Sequence, residues 1–228
     1  MRCFSAKLET VGVILSLASL LAAFGGASSA DARPKEKKTK SSSVESQTLS
    51  EVENWLRAAS QAELSAEFSA TVDLQRDGAP LTRWRLWRNG NKERMEYVAP
   101  PVRKGDLLVD DGQNVWLYHR ADNTAIQTKS RPRSLDFESL SARGLQTRLG
   151  DDQKIDEREA RVLEVRRSNG RIVRRLFVDE KTRVLLGHQT FANGKSVERM
   201  TFGDLKTGEV ADSRFRWNPP QGDRKSVV

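Results

Sequence analysis

The sequence predicts an α+β protein: one strongly curved antiparallel sheet forming an incomplete, half-open β-barrel, with a helical lid. Three observations carry this. Apolar and polar residues alternate from Leu64 through Ala66, Phe68, Ala70, Val72 and Leu74, the period of a strand with one buried and one wet face. Hairpin turn pairs recur along the chain at Asp77-Gly78, Asn89-Gly90, Asp111-Gly112, Asn169-Gly170 and Asn193-Gly194, each between runs that read as strands. The strands number roughly ten, and a single sheet of that size must curl to hide its apolar face.

In chain order, residues 1–32 read as a cleaved signal peptide. Arg2 and Lys7 precede an apolar run from Val11 to Phe24, with small residues ending at Ala30 or Ala32. That is the order of a secretory leader, and the run is short for a bilayer-spanning helix. The expected compartment is the periplasm, with full secretion as the alternative. The single cysteine, Cys3, lies inside this leader, so the mature chain is expected to have no disulfide and no cysteine metal site.

Residues 33–47 form a basic, Ser-rich linker, with five basic and two acidic residues. Such a run is usually a solvated tail, and it can also hold a chain near anionic headgroups. The folded domain is expected over 48–222, followed by a tail at 223–228. It opens with a helix: Thr48 and Glu51, or Ser50 and Glu53, have capping-box spacing. Leu49, Val52, Leu56 and Ala59 share one face, with Trp55 beside them.

After the strand that begins at Leu64, the chain returns through Trp84, Leu86 and Trp87 and then through 93–98. Ala99-Pro100-Pro101 interrupts the meander, because proline cannot donate a ladder hydrogen bond. Strands follow at 106–109, 115–119 and 124–129. Leu135, Phe137, Leu140, Leu145 and Leu149 have roughly helical spacing and are read as one or two short helices. Strands resume at 159–166, 172–179, 184–191, 196–204 and 213–217.

Chemistry-bearing residues are sparse. His119 and His188 are the only histidines, too few without cysteine to suggest zinc. Asp110-Asp111 and Asp151-Asp152 sit beside glycine, where turn formation explains them. No nucleophile elbow, phosphate loop or dinucleotide fingerprint is present. The chain is therefore not expected to be an enzyme, and no cofactor or metal is expected. The net charge of +8 raises nucleic acid as a partner. Export and the interspersion of acidic with basic residues over 171–181 argue against it.

What remains is a large apolar face, suited to holding an apolar ligand. Its expected lining is Leu64, Phe68, Val72, Trp84, Leu86, Met95, Tyr97 and Trp116. An acyl chain in water costs about 0.8 kcal/mol per exposed CH₂, and flexible Met95 and Met200 suit a ligand of variable shape.

Several stretches resemble the periplasmic lipoprotein carriers of the outer-membrane sorting pathway (the LolA type). They are Phe68-Ser69-Ala70-Thr71-Val72, Leu86-Trp87-Arg88, Arg94 to Pro100, Leu108 to Gly112 with Val115 to Tyr118, and Phe215 to Gly222. The segment Arg171–Leu205 also resembles the sensor domain of sigma-E regulators (the RseB and MucB type). The resemblance implies a half-barrel with a helical lid, and a job in sheltering acylated lipoproteins or lipids. It implies an inner-membrane release complex and an outer-membrane acceptor as partners, peripheral membrane contact, and a monomer. The alternative it implies is a sensor of envelope lipid or lipoprotein that acts through protein contacts. Arg88 is the candidate for the family's basic lid latch, although Asn89-Gly90 follows it where the carriers have proline.

Overall fold

The computed structural model describes residues 42–131, 144–220 and 224–227. The expected leader at 1–32, most of the expected linker, and Leu135, Phe137 and Leu140 lie outside them. Helix α1 spans Ser42–Ser65. It starts inside the stretch read as linker, ahead of the capping boxes. Nothing in Ser42–Ser65 is glycine or proline, so local chemistry does not stop the helix at the cap positions.

Among the described residues, thirteen strands follow: β1 (Glu67–Arg76), β2 (Thr82–Asn89), β3 (Lys92–Ala99), β4 (Leu107–Asp110), β5 (Asn114–His119), β6 (Thr124–Lys129), β7 (Leu145–Leu149), β8 (Gln153–Ile155), β9 (Arg158–Arg167), β10 (Ile172–Asp179), β11 (Leu185–Ala192), β12 (Lys195–Thr207) and β13 (Arg224–Val227). They form one sheet in the order β13-β6-β5-β4-β3-β2-β1-β12-β11-β10-β9-β7, with β8 paired to β9. β13 and β7 end that order without pairing to each other, so the sheet is curved and open. Every pairing is antiparallel except β13 with β6. The sheet thus continues into the stretch expected to be a tail.

Three expectations change. Leu64 lies in the last turn of α1, not in a strand, and is 46% exposed. Helical bonding persists past it, with Ala66 N–H donating to Ala62 C=O at 2.7 Å, and the strand opens at Glu67. Leu145 and Leu149 lie in β7, not a helix. Their spacing of four fits an even period as well as a helical one. Residues Asp212–Phe215 form a 3₁₀ turn instead of a closing strand, with Phe215 buried beneath it. Pro100-Pro101 does end β3, and a 3₁₀ turn runs Pro101–Arg103.

Register partners in an antiparallel sheet share a face, which defines the inner face. Val72 opposes Trp84 and Phe202, Trp84 opposes Tyr97, and Leu86 opposes Met95. Met95 in turn opposes Leu108. On β9–β11 the same face presents Leu163, Leu176, Val178 and Leu185. These pack on Trp55 and Ala59 of α1, while Ala62 lies against the cluster around Trp84. The helix therefore crosses the inner side of the sheet. Trp55 is further held by Arg183, 3.7 Å from its ring centroid, and Arg161 at 5.3 Å.

Candidate functional site

Phe68, Val72, Trp84, Leu86, Met95 and Tyr97 come together as expected, in one cluster where none exceeds 2% exposure. Trp84 and Tyr97 are tilted rings 5.7 Å apart, and Phe68 and Phe202 lie 6.0 Å apart. Sequence reasoning left Phe202, Leu108 and Leu205 out of this cluster. Trp84 Nε1 is buried with no hydrogen-bond partner.

Trp116 does not join them. It opposes Val109 on the outer face, where it and Tyr118 pack on Trp217 at 5.8 and 5.5 Å. The inner-face residues of β5 are Val115 and Leu117. Val115 to Tyr118 is apolar throughout, so alternation could not assign its faces. Leu64, exposed at the end of α1, is also outside the lining.

Arg88 occupies the inner face one step beyond Leu86 and is fully buried. It donates Nη1 to Glu63 on α1, and Nη2 and Nε to Glu93 Oε2 on β3 at 2.8 and 3.2 Å. Its guanidinium carbon lies 5.2 Å from the Phe68 ring centroid. Burial opposes its charge, but the two carboxylates outweigh burial and raise its pKa above the ordinary arginine value. Glu93 faces Arg88 across the Asn89-Gly90 hairpin and could have been read from the sequence. Glu63 could not, because the helix's approach is tertiary.

A second polar group sits at the other end of the inner face. Glu198 accepts from Arg76 Nε at 2.7 Å, and its other oxygen lies 2.9 Å from His188 Nε2. Burial pushes the His188 pKa down, against its hydrogen bond with Glu198 and with the help of Arg174. The His188 hydrogen bond, against burial and with Arg76, holds Glu198 at about 2. An unfolded His188 takes up a proton near its ordinary value of 6.5, and the folded one resists. Stability should therefore fall as pH drops below that value, by up to about 1.4 kcal/mol per pH unit. Urea midpoints between pH 7.5 and 5.5 measure this. His188→Gln should remove that part of the slope, and an unchanged slope would reject the assignment.

On the outer face, a cleft of about 460 Å³ is lined by Thr71, Asp73, Arg83, Lys154, Arg199 and Asp204. Ile155 and Phe202 also reach it, but charged and hydroxyl side chains predominate in its walls, unlike the inner face. Among the described residues, no group of three or more His, Cys, Asp and Glu is placed to hold a metal. No helix among them is long and apolar enough to cross a membrane.

No protein-family model matches the chain, and no curated protein matches its sequence. Solved structures do share its fold. An uncharacterized conserved protein from Thermus thermophilus aligns at TM-score 0.58 and 17% identity, over 77% of this chain and 99% of that one. A chain of the Pseudomonas aeruginosa MucA/MucB complex aligns at 0.58 and 22%, over 74% and 61%. MucB in a separate structure gives 0.57 and 22%, over 74% of this chain and 63% of MucB, so this chain spans less than two thirds of MucB. A LolA superfamily protein from Nitrosomonas europaea aligns at 0.37 and 14%, too low a score to bear on the fold.

Proposed function

We propose that this chain is a periplasmic binding and carrier protein that shelters acyl chains of lipoproteins or lipids on the inner face of its half-barrel, for outer-membrane lipoprotein sorting. The observation that carries the proposal is a pair of buried apolar clusters on the inner face, both touched by one helix, with a buried guanidinium joining helix to sheet. Burial of hydrocarbon is non-directional and needs few polar contacts, which suits the scarcity of reactive groups there. Residues 1–32 would serve as the export signal and be cleaved. The chain would act without catalysis.

The inner-face clusters are buried in this structure and α1 lies against both, so moving α1 would open a way in for a ligand. Arg88 is suited to that. If the helix leaves, Glu63 goes with it, but Glu93 stays on the neighbouring strand and keeps the cation paired. The helix rests on the Trp84 cluster through the small side chain of Ala62, so little interdigitation resists sliding there. α1 is thus the lid and Arg88 its latch.

Glu63→Gln tests the latch. It weakens the link to the helix and leaves Arg88 and Glu93 as a neutral pair. Uptake of a fluorescent fatty acid by stopped flow should speed up by about tenfold, since a charged hydrogen bond contributes roughly 1.5–3 kcal/mol. Wild-type protein should take up the probe slowly, and protein purified natively from membranes should carry lipid in its mass spectrum. An apo protein that also refuses the probe would sink the carrier reading. The likeness to MucB, solved in complex with MucA, favours one second reading: a sensor that signals through a membrane-bound partner. Recovery of an anti-sigma factor, and no transfer of lipoprotein to outer-membrane vesicles, would select the sensor.

A further inference from the structure

We propose that the rim of the inner face on β10 and β11 binds an oxyanion on Arg174 and Thr190: the carboxylate or phosphate headgroup of the sheltered acyl ligand. This rests on the carrier reading above and adds the ligand's chemical class.

The register builds the site. Arg174 opposes Val165 on β9 and Thr190 on β11. Thr190 opposes Glu198 on β12, and Glu198 opposes Arg76 on β1. These residues form one row across five strands. The adjacent row on the same face runs Leu163, Leu176, His188, Met200 and Leu74, and is apolar apart from His188.

Within the polar row the charges do not balance. Glu198 already meets Arg76 and His188 with its two oxygens, and burial favours an uncharged His188. Among the described residues, Arg174 makes no hydrogen bond to a carboxylate, and Glu198 acts on it only through space. Its Nε is buried with no partner, and so is Oγ1 of Thr190, its cross-strand neighbour. Native proteins rarely leave two buried polar groups unmatched side by side, because each forfeits its hydration. A guanidinium and a hydroxyl together make a donor set for one oxyanion. An anion there would have its hydrocarbon leave along Leu176 and Leu163, toward the contact with Trp55 and Ala59. Hydrocarbon and headgroup would each meet matching surface.

The test uses the full mature chain with three probes: a 16-carbon fatty acid, its methyl ester and inorganic phosphate. Affinities are read by displacement of a fluorescent fatty acid and by calorimetry. Wild type should bind the acid about tenfold more tightly than the uncharged ester, the effect of roughly one charged hydrogen bond. Arg174→Met should bind the acid no better than the ester, Arg174→Lys should restore part of the preference, and Thr190→Val should reduce it. Arg174→Met should keep or raise the melting temperature, because it removes a guanidinium whose buried Nε has no hydrogen-bond partner. Equal binding of acid and ester by wild type, or a preference that survives Arg174→Met, overturns the proposal. If wild type binds neither acid nor ester, the carrier reading falls, and phosphate alone decides: binding lost in Arg174→Met keeps an oxyanion site for free anions, and no phosphate binding overturns that too.

Discussion

Arg88→Met is expected to destabilise the protein by about 3–5 kcal/mol, the usual loss when one partner of a buried ion pair is removed. The size follows from what is left behind. Glu63 is 6% exposed and Glu93 4%, and both would lose the cation they now share. Glu63 would face an apolar side chain and have to draw in water. The helix should suffer most, since Glu63 is its polar tie to the sheet. Urea denaturation followed by circular dichroism reads both the midpoint and the helical signal. The triple variant Arg88→Met, Glu63→Gln, Glu93→Gln removes the stranded charges with the cation and should recover much of the loss. A single variant that loses less than about 1 kcal/mol would show that the three groups are not coupled. The same experiment bears on the lid, because a latch must hold the closed state measurably.

Much of the sheet was legible because its signals are local. Phe68 to Leu74 alternates cleanly, and its apolar members are the buried ones. Asn193-Gly194 places two residues at positive φ, +52° and +79°, which the twist of a two-residue hairpin requires. Errors fell where a pattern satisfies two periods or none. Leu145 and Leu149 fit helix and strand alike, and Val115 to Tyr118 has no polar residue to mark a face. Leu64 continues the alternation of β1 by coincidence while its backbone is still helical.

The site was legible in part for the same reason. The buried cluster on β1, β2 and β3 is a matter of adjacent hairpins, so alternation and turn position suffice. Arg88 with Glu93 is also a hairpin pair. Glu63 reaches Arg88 only because α1 crosses the inner face. The row of Arg174, Thr190, Glu198 and Arg76 depends on the register of four strands, two of them far apart in sequence. It also depends on the irregularity between Phe177 and Val178, and one residue of slip there would send these side chains to the other face.

That irregularity turns on Gly187, and Gly187→Ala is expected to cost about 3 kcal/mol or more. A Cβ added there would lie 2.1 Å from the Met200 carbonyl oxygen, 2.9 Å from its carbon and 3.0 Å from Thr201 Cα. All three are backbone atoms of β12, so no side chain can swing aside. The φ of +144° adds strain for any L residue. Relief requires β11 and β12 to part where Gly187 opposes Thr201 and His188 opposes Met200. Thr190 and Glu198, two steps along, would shift with them. Urea denaturation should show the loss, and the acid-over-ester preference should weaken in parallel. Gly170→Ala is the control: φ is +80° but nothing lies within 4 Å of the added Cβ, so only the cost of a left-handed residue, about 1–2 kcal/mol, applies. The difference between the two variants measures the clash with β12 together with the greater backbone strain at φ +144°. If the two cost the same, the strands part freely at Gly187, and the row that carries Arg174 and Thr190 is not held in register from that side.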